Sequence, residues 1–548
     1  MHLWKSVVVT LLTLSMPPAS IQAAEKFDSS EEAMKKYLLY DEIDNYIKAM
    51  RLNTSIKRVF NNKHLMSEKT AKAYAGGLKV NKSVVTWDFG KPKLLDNGGV
   101  HIMEALKSNK TIKTLSIGYA RMNPAAQKIF LEVLKSHPSI TYLKTYVYPD
   151  DMKISNAYRN NGSVDIGPPL MEILRVNKKL TGLNVGLYQT ASALAIAEGL
   201  EDNKTLEIFK VSGKVGTEGV KALLEALKDH PKITEFSIRE TSSGEEATRA
   251  LAEMLTANKR IKKLEVVNNP ISKTYFKEIG EAIGANASLK DLRIAASLKT
   301  PESAAPIAEG IGKNGSIEEL ELYQNKFGEL GATALAKAIR GHKTLKILTL
   351  IDNGLTDAGA REIGKAIKDN DQLKSLNIQE NEIGVWGRKA FLHALKDHKS
   401  LTDVTISSLK EPDQIGHLAS KILTLNQQIT DLNIYRSEIG PEGGESMAAA
   451  LKTNKTLKRL DMNWNEIGDR GAIAFAGMLK DNKHLIHLGL YSNKIKGPGA
   501  KALIEALKVN NTLKSLNIRM NDIPQEQETQ LREIAKKKKG FELLMEGY

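Results

Sequence analysis

The sequence contains no cysteine and few aromatic residues. Without cysteine the chain forms no disulfide, holds no cysteine-ligated zinc or iron–sulfur cluster, and offers no thiol nucleophile. Aromatic residues make up only 5% of the 548 residues. Aromatic side chains on an exposed surface would therefore be informative about function.

Long apolar runs are also missing. The apolar stretch 6–16 is too short to span a bilayer, which takes about 20 residues. It follows Lys5 and precedes the small residues Ala23 and Ala24, a pattern typical of a signal peptide over 1–24. The alternative is an uncleaved anchor or a buried N-terminal helix. A signal peptide predicts export, to the periplasm or out of the cell, and a long exported chain without cysteine favours a bacterial source.

Positive charge is in excess. Lys and Arg number 79 against 64 Asp and Glu, a net charge of +15, and loss of the signal peptide with Lys5 leaves 78 − 64 = +14. Such a balance favours acidic partners or anionic surfaces. The basic residues recur at predicted helix ends, where they suit the helix dipole, so a solvated basic face is the simpler interpretation.

A short repeat of constant period dominates the sequence. The segment TLKSLNIRMN at 512–521 matches HLIHLGLYSN at 484–493, and the offset between them is 512 − 484 = 28. The first apolar position of the pattern recurs with this same offset in ten successive steps: Ile233, Ile261, Leu289, Ile317, Leu345, Leu373, Leu401, Ile429, Leu457, Leu485 and Leu513. Earlier copies begin at Val84, Ile112, Ile140, Leu180 and Leu206, with a degenerate copy at Ile56.

Each repeat has two halves of different periodicity. The alternation of apolar and polar residues over 516–519 predicts a short strand. Apolar residues at spacings of three and four over 500–507 predict one buried helix face. One strand and one helix cannot bury their own apolar faces, but stacked repeats can. The strands should then form a parallel sheet.

The pattern L-x-x-L-x-L-x-x-N followed by a Gly/Ala-containing helix resembles the ribonuclease-inhibitor type of leucine-rich repeat. The resemblance implies an α/β solenoid of horseshoe shape, with parallel strands on the concave face and helices on the convex face. It also implies that the repeated asparagine binds backbone groups in the turn after the strand. That asparagine is present at Asn269, Asn325, Asn353, Asn381, Asn465, Asn493 and Asn521. The turns at Thr241, Ser297, Leu409 and Ser437, which lack it, are candidates for irregularity.

The repeats set the predicted domain organisation. About 16–17 of them fill residues 56–535, with an insertion within 141–179. Residues 25–55 have an amphipathic helical pattern and are interpreted as an N-terminal cap, which solenoids require. The basic segment 536–548 is interpreted as a C-terminal cap, with a tail for anionic lipid as the alternative.

Two groups of residues are candidates for recognition. The first lies on the predicted concave face and comprises Tyr323, Tyr435, Trp464, Tyr491 and Arg519. These residue types are frequent at interface hot spots, and Tyr435, Trp464 and Tyr491 belong to consecutive repeats. Ordinary half-buried surface aromatics are an equal alternative.

The insertion within 141–179 supplies the second group, Tyr148, Tyr158 and Arg159. Long loops on a rigid scaffold often carry recognition, although an insertion without function is equally compatible with the sequence.

Motifs for catalysis, nucleotide binding and metal binding are missing, so no catalytic residue, metal ligand or cofactor is predicted. The repeated histidines His137, His230, His342 and His398 are expected on the surface. A bacterial leucine-rich-repeat ubiquitin ligase would need a catalytic cysteine, which this chain lacks.

The hypothesis that these patterns favour is a non-catalytic scaffold that binds another protein through its concave face. By analogy of fold, an exported bacterial protein of this type would engage a host protein, and the charge favours an acidic one. One alternative is a regulator of an enzyme such as a nuclease or a GTPase. Another is a polyanion-binding surface protein. No specific nucleic-acid recognition is predicted, and the oligomeric state is left open.

Overall fold

The computed structural model describes residues 57–60, 66–89, 97–118, 122–145, 165–242, 244–407 and 415–545. The chain divides into two compact units, Met1–Ile261 and Lys262–Tyr548. The predicted signal peptide at 1–24 and the predicted cap at 25–55 lie outside the described residues. Within the described residues, no helix is both long enough and apolar enough to cross a bilayer.

The first unit alternates strands and helices. Its strands are β1 (Arg58–Phe60), β2 (Thr86–Phe89), β3 (Thr114–Ile117), β4 (Tyr142–Thr145), β5 (Gly182–Gly186), β6 (Ile208–Ser212) and β7 (Glu235–Arg239). Its helices are α1 (Glu68–Val80), α2 (Gly98–Ser108), α3 (Pro124–Ser136), α4 (Gly167–Val176), α5 (Thr190–Asp202), α6 (Gly216–Lys228) and α7 (Glu245–Ala257). Each strand pairs in parallel with the next one along the chain.

The second unit repeats the same alternation with closer regularity. Its strands are β8 (Lys263–Val267), β9 (Asp291–Ala295), β10 (Glu319–Tyr323), β11 (Ile347–Ile351), β12 (Ser375–Asn377), β13 (Asp403–Thr405), β14 (Asp431–Asn433), β15 (Arg459–Asp461), β16 (His487–Gly489), β17 (Ser515–Asn517) and β18 (Glu542–Leu544). Its helices are α8 (Phe276–Ala285), α9 (Ala304–Lys313), α10 (Gly328–Ile339), α11 (Asp357–Lys368), α12 (Val385–Leu395), α13 (Ile415–Leu425), α14 (Pro441–Thr453), α15 (Gly468–Asp481), α16 (Gly497–Val509) and α17 (Gln525–Lys537). Short 3-10 turns, Lys273–Tyr275 and Pro301–Ser303, precede α8 and α9.

The register of the sheet follows the repeat. Leu320 stands opposite Leu348, and Leu348 opposite Leu376, each exactly one repeat further along the chain. In the first unit the step from Leu143 to Leu183 is longer because of the insertion, yet the two residues are direct partners between β4 and β5. The insertion is therefore accommodated outside the strands, and the pairing is undisturbed.

The apolar positions of every repeat form the core. In the repeat that begins at Leu345, Leu345, Leu348 and Leu350 are all 0% exposed. The helices contribute a matching face, for example Ile363 and Ile367 of α11, which are also 0% exposed. Truncation of such a side chain to Ala costs about 2–5 kcal/mol, so these positions are restricted to apolar residues.

The repeated asparagine after each strand links neighbouring repeats. Asn353 donates from Nδ2 to the carbonyl of Leu322, 2.8 Å away, in the preceding repeat. Its Oδ1 accepts the amide of Asn325 at 3.0 Å, also in the preceding repeat. The backbone role expected for this asparagine is therefore present, and it extends to two repeats. Asn381, one repeat later, donates both to the carbonyl of Leu350 in the preceding repeat and, at 2.9 Å, to the carbonyl of Ile378 in its own turn.

Serine replaces this asparagine without disturbing the turn. Ser297 accepts the amide of Asn269 on Oγ at 3.1 Å and donates to the carbonyl of Ala295 at 2.8 Å. The residue before it, Ala296, has φ of +49°, matching +52° at Gln324 in the next repeat. The irregular turn expected at Ser297 is therefore absent because a hydroxyl supplies the same acceptor.

The turns at Ser437 and Thr241 keep the same backbone conformation. Arg436 and Glu240, the residues before them, have φ of +49° and +55°. Ser437 donates from Oγ to the carbonyl of Tyr435 at 3.1 Å, as Ser297 does in its own turn. The irregularity expected at these two positions is therefore absent as well, and Leu409 lies outside the described residues.

A second set of side chains joins the repeats where each helix ends. Asn454, the residue after α14, donates to the carbonyl of Leu423 at 2.8 Å and accepts the amide of Leu457 at 2.8 Å. It thus closes the end of the preceding helix and positions the start of its own strand. The same pair of bonds forms at Asn109, Asn203, Asn258, Asn314, Asn370, Asn426, Asn482 and Asn510.

Histidine occupies this position in four repeats, and the expectation that these histidines lie on the surface is wrong. His137, His230, His342 and His398 are only 4%, 3%, 6% and 6% exposed. His342 places Nε2 3.2 Å from the carbonyl of Ile311 and Nδ1 3.2 Å from the amide of Leu345. An imidazole has a donor and an acceptor at nearly the positions of the asparagine amide, so it replaces Asn in the interior.

These bonds require a neutral ring. Nδ1 accepts from backbone amides, so a proton on that nitrogen would face donors and break the bond. Burial lowers the pKa of all four histidines, and it lowers the pKa of His230, with help from Lys204, to about 4. Because the folded pKa lies below that of the unfolded chain, the stabilisation is complete above about pH 6.5 and is lost as pH falls toward 4.

We expect the quadruple change His137→Asn, His230→Asn, His342→Asn and His398→Asn to reduce this sensitivity to acid. Asparagine offers the same acceptor to the backbone amides, and the same donor that His137, His342 and His398 use, without titrating in this range. Between pH 6.5 and 4.5, the wild-type chain should lose at least about 1 kcal/mol more stability than the variant. Urea denaturation at several pH values measures the difference, and parallel curves for the two proteins would contradict the assignment.

We expect Asn353→Ala to destabilise the second unit by about 2–4 kcal/mol, because it leaves the Leu322 carbonyl and the Asn325 amide buried without partners. Gln379→Ala is the matched control, since the Gln379 side chain makes no hydrogen bond within the described residues and should cost under about 0.5 kcal/mol. Urea denaturation at neutral pH measures both. Equal costs would show that the asparagine bonds add little.

Candidate functional site

The sheet face of the second unit carries the variable residues of each repeat. In the repeat from Leu457 to Asn465, the first, fourth, sixth and ninth residues are buried, whereas the third, fifth, seventh and eighth are accessible. We number these positions one to nine in every repeat. Residues at the same position are neighbours along the sheet, so each accessible position forms a row across successive strands.

Position eight has a fixed backbone conformation. Its residues adopt φ between +49° and +57°, the left-handed region, in nine repeats of the second unit: Asn268, Ala296, Gln324, Asp352, Glu380, Arg436, Trp464, Ser492 and Met520. A bulky side chain in this region costs about 1 kcal/mol relative to glycine or asparagine. The backbone bend aims the side chain away from the core at the end of each strand.

Trp464 at position eight and Tyr491 at position seven of the next repeat form a pair. Their ring centroids lie 5.2 Å apart with an interplanar angle of 51°. The amide of Trp464 donates to the carbonyl of Tyr491 at 2.7 Å, so the two backbones are rigidly joined. Trp464 is nevertheless 52% exposed. The structure thus brings together two of the predicted residues and leaves the larger one in solvent.

Tyr435 and Tyr323 occupy position seven of their repeats and are half-buried. The amide of Tyr435 donates to Asn433 Oδ1 at 3.1 Å. Burial raises the pKa of the Tyr435 hydroxyl, with further contributions from Glu380 and, more weakly, from Tyr323.

Side chains at position five shorten the strands around these aromatics. In β14, β15 and β17 the oxygen of Asn433, Asp461 or Asn517 accepts the amide two residues later, at 3.1, 2.9 and 3.3 Å. That amide would otherwise extend the ladder, as it does in the five-residue strands β8–β11. These local turns add to the bonds between repeats, such as that from the amide of Arg436 to the carbonyl of Asn463 at 2.8 Å and that from the amide of Ser492 to the carbonyl of Arg519 at 2.9 Å.

Carboxylates lie at positions three and five of the same strands. Asp403 and Asp431 are direct partners between β13 and β14, and Arg459 Nε is 3.4 Å from Asp431 Oδ1. Desolvation raises the pKa of Asp403, with a contribution from Asp431, and burial raises the pKa of Asp461. His487, beside Arg459, has its pKa lowered by desolvation and then by that arginine.

The strands at the start of the second unit have a different surface. There Lys263 pairs with Asp291, and Arg293 Nε lies 3.4 Å from Glu321 Oε2. These charges neutralise one another across neighbouring strands. The part of the sheet with exposed aromatic surface is therefore the later part, around β14–β17.

Two exposed apolar residues were missed by the sequence analysis. Trp386 in α12 is 73% exposed, with Lys389 Nζ 4.5 Å from its ring centroid. Leu330 in α10 is 69% exposed and occupies the same place two repeats earlier. Alignment of the repeats could have identified both, because this place holds Glu442 and Arg470 in later repeats and is therefore a surface position.

The other predicted residues fall into two groups. Arg519 is half-buried at position seven of β17's repeat, next to Tyr491 in the row. The insertion residues Tyr148, Tyr158 and Arg159 lie outside the described residues. Within the described residues, no group of three or more His, Asp or Glu side chains is arranged to hold a metal ion.

A groove of 790 Å³ lies between α16 and α17. In α16, Gly499 allows close approach to α15, since an added Cβ would come within 2.7 Å of Asp469 Oδ1 and 2.9 Å of Ala472 Cβ. The equivalent residue of α17 is Gln527, a long side chain in place of glycine, and it lines the groove. The groove is lined mainly by Lys, Glu and Gln, so it is a polar gap left by the end of the repeats.

Comparisons with known proteins support the repeat fold. A family model described as Leucine Rich repeat matches residues 453–476 and 509–523, within the regular repeats of the second unit. The fold is an α/β leucine-rich-repeat solenoid. No curated protein matches the sequence of this solenoid.

One similar solved structure is a chain from the crystal structure of the Rad7 and Elc1 complex in yeast. It has 11% sequence identity over 73% of this chain and 89% of that chain, with a TM-score of 0.37. A similarity of this size carries no argument about the function of the solenoid.

Proposed function

We propose that this protein is a non-catalytic protein-binding scaffold whose recognition surface is the sheet face around β14–β17. The observation that carries the proposal is the Trp464–Tyr491 pair, an exposed indole held against a tyrosine on a rigid backbone. Rigid exposed aromatics of this kind supply contact area at a low cost in conformational entropy.

The backbone at Trp464 adds to this argument. A tryptophan in the left-handed region is disfavoured by about 1 kcal/mol relative to glycine, and half of its surface remains in water. Packing within the solenoid therefore gives a weak reason for tryptophan at this position. A partner that covers the exposed ring would supply a stronger one.

The polar residues around the Trp464–Tyr491 pair suit a partner that presents a basic group next to an apolar one. Asp403 and Asp431 begin their strands, Asp461 ends β15, and Arg459 lies among them. Asp461 is half-buried, and burial raises the pKa of its carboxyl, whereas Asp403 is exposed. A basic side chain of a partner would stabilise their ionised form while the aromatic pair receives an apolar group.

The type of the repeat, the export of the protein and its source are also proposals. We infer that the solenoid is of the ribonuclease-inhibitor type, on the strength of its repeat period and its Gly/Ala-containing helices. We infer further that residues 1–24 direct export and that the mature protein is a secreted bacterial factor acting on a protein of a host. The pattern of Lys5, the apolar run and the small residues supports the export step.

The proposed surface is tested by affinity capture with residues 25–548 at physiological salt. We expect the wild-type chain to retain a partner that the variant Tyr435→Ala, Trp464→Ala, Tyr491→Ala loses by at least about 100-fold in affinity, since hot-spot aromatics contribute about 2 kcal/mol or more each. Circular dichroism checks that the variant is folded.

Trp386→Ala is the matched control, because it removes the other exposed tryptophan of the second unit. Retention by this control together with loss by the triple variant would support the sheet face. Loss by Trp386→Ala alone would move the surface to the helix beginnings. Equal retention by all three proteins would overturn the proposal.

Export is tested by expressing residues 1–548 in a bacterium and sequencing the N-terminus of the protein recovered outside the cytoplasm. We expect cleavage after Ala23 or Ala24, because small residues there suit signal peptidase. A chain that stays in the cytoplasm with residues 1–24 attached would refute the export step and leave the binding surface unaffected.

A further inference from the structure

A second surface lies where each helix ends and the next strand begins. We define the lysine edge as this surface over the last repeats of the second unit, residues 452–459, 480–483, 505–514 and 533–542. Its basic residues are Lys452, Lys455, Lys458, Arg459, Lys480, Lys483, Lys508, Lys514, Lys536, Lys537, Lys538 and Lys539. Its acidic residues are Asp481, Glu505, Glu533 and Glu542.

The lysine edge holds a large part of the positive charge of the chain. Its 12 basic and four acidic residues give 12 − 4 = +8, against +15 for all 548 residues. These positions recur in neighbouring repeats, so they form a continuous strip beside the sheet face. A strip of one sign attracts ligands of the other sign at distances up to about 10 Å at 0.1 M salt.

Few of these charges are neutralised within the described residues. Lys508 pairs with Glu505 at 2.6 Å, and Arg459 approaches Asp431 at 3.4 Å. Lys452, Lys455, Lys458, Lys480 and Lys514 are exposed and form no ion pair with any described residue.

Local packing explains the position of single edge lysines but not the accumulation of positive charge. Lys483 donates to the carbonyl of Lys480 at 3.2 Å and so closes the end of α15. The pKa of Lys538 is lowered, first by desolvation and then by Lys514, which shows that charges on this edge repel one another. Helix capping thus accounts for single lysines but not for the accumulation of charge.

Exposed apolar side chains accompany the charge. Leu425 and Val509 are the last residues of α13 and α16, and they are 54% and 55% exposed. They occupy the same place in their repeats, immediately before the buried asparagine. In the first unit Val80 and Val176 end α1 and α4 in the same way, at 40% and 47% exposed.

The residue types favour a lipid surface over a nucleic acid. All but one of the basic residues are lysines, which act as point charges and lack the fork that arginine uses for paired contacts. The edge contains no Trp or Tyr, and Phe541 is half-buried, so it offers no exposed ring for stacking on bases. Lysines mixed with exposed aliphatic residues suit the boundary between headgroups and acyl chains.

We propose that the lysine edge docks on an anionic membrane surface. The lysines lie against the phosphates of the headgroups, and Val509 enters the interfacial layer. The edge meets the sheet face at Arg459, at the start of β15, whereas Trp464 and Tyr491 follow the ends of their strands, so docking would leave these two rings available to a protein partner.

The test is co-sedimentation of the full chain with vesicles of phosphatidylcholine, alone or mixed with phosphatidylglycerol. The edge variant is Lys452→Gln, Lys455→Gln, Lys458→Gln and Lys480→Gln. Each lysine near an anionic surface contributes roughly fivefold in partitioning, so we expect the variant to lose at least about 100-fold. Binding to the mixed vesicles should also weaken steeply with salt.

The matched control is Lys277→Gln, Lys326→Gln, Lys421→Gln and Lys501→Gln, which removes the same charge from exposed positions of the second unit outside the edge. We expect it to partition within about threefold of the wild type, because screening limits the reach of distant charges. Val509→Ser separately tests the apolar contact and should weaken binding without changing the salt dependence.

Three results would overturn the proposal. One is a wild-type chain that fails to bind the mixed vesicles. Another is an equal loss in the edge and control variants, which would show that net charge alone is responsible. The last is binding to heparin or RNA that depends on the edge lysines while the vesicles are ignored, which would assign the edge to a soluble polyanion. The edge variant should still retain the protein partner. This separates a failure of the membrane proposal from a failure of the proposed sheet-face surface.

Discussion

The structure depends on hydrogen bonds from side chains of one repeat to the backbone of the repeat before it. Asparagine or serine after most strands of the second unit, and asparagine or histidine after most helices, satisfy buried carbonyls and amides that no regular secondary structure reaches. Since an unpaired buried backbone group costs about 1–3 kcal/mol, these bonds fix both ends of every strand relative to its neighbour. They also enforce the constant period of the repeat, because the donor and its carbonyl acceptor must stay in register.

This constraint leaves other positions free to vary. Positions three, five, seven and eight of the sheet face and the residues around each helix end contact solvent, so charge and aromatic surface accumulate there without disturbing the core. The two surfaces differ in chemistry as a result. The sheet face around Trp464 offers a rigid aromatic contact beside the half-buried carboxylate of Asp461, whereas the lysine edge offers exposed point charges. The sheet face suits a folded protein of complementary shape. The lysine edge suits an extended anionic surface that has no fixed shape.

The same hydrogen bonds make the interior sensitive to acid. Asparagine and neutral histidine are interchangeable at the helix end, but only histidine titrates. The buried position after the helix holds histidine in four different repeats. The solenoid therefore has several sites at which protonation opposes folding. Sequence alone treats these histidines as polar and hence exposed, which is why the expectation for them was wrong.

The amino-acid pattern alone predicts the α/β solenoid, the strand and helix of each repeat, and the neighbouring positions of Trp464 and Tyr491, because a strict period places equivalent residues side by side. It could not decide which polar residues are buried, since that depends on whether a carbonyl of the preceding repeat lies within reach. Only the tertiary structure showed that the asparagines bond backward and that Trp464 stays half exposed in a left-handed conformation. It also places the lysines of separate repeats on one edge, because residues one repeat apart in the sequence become neighbours on the surface when the repeats stack.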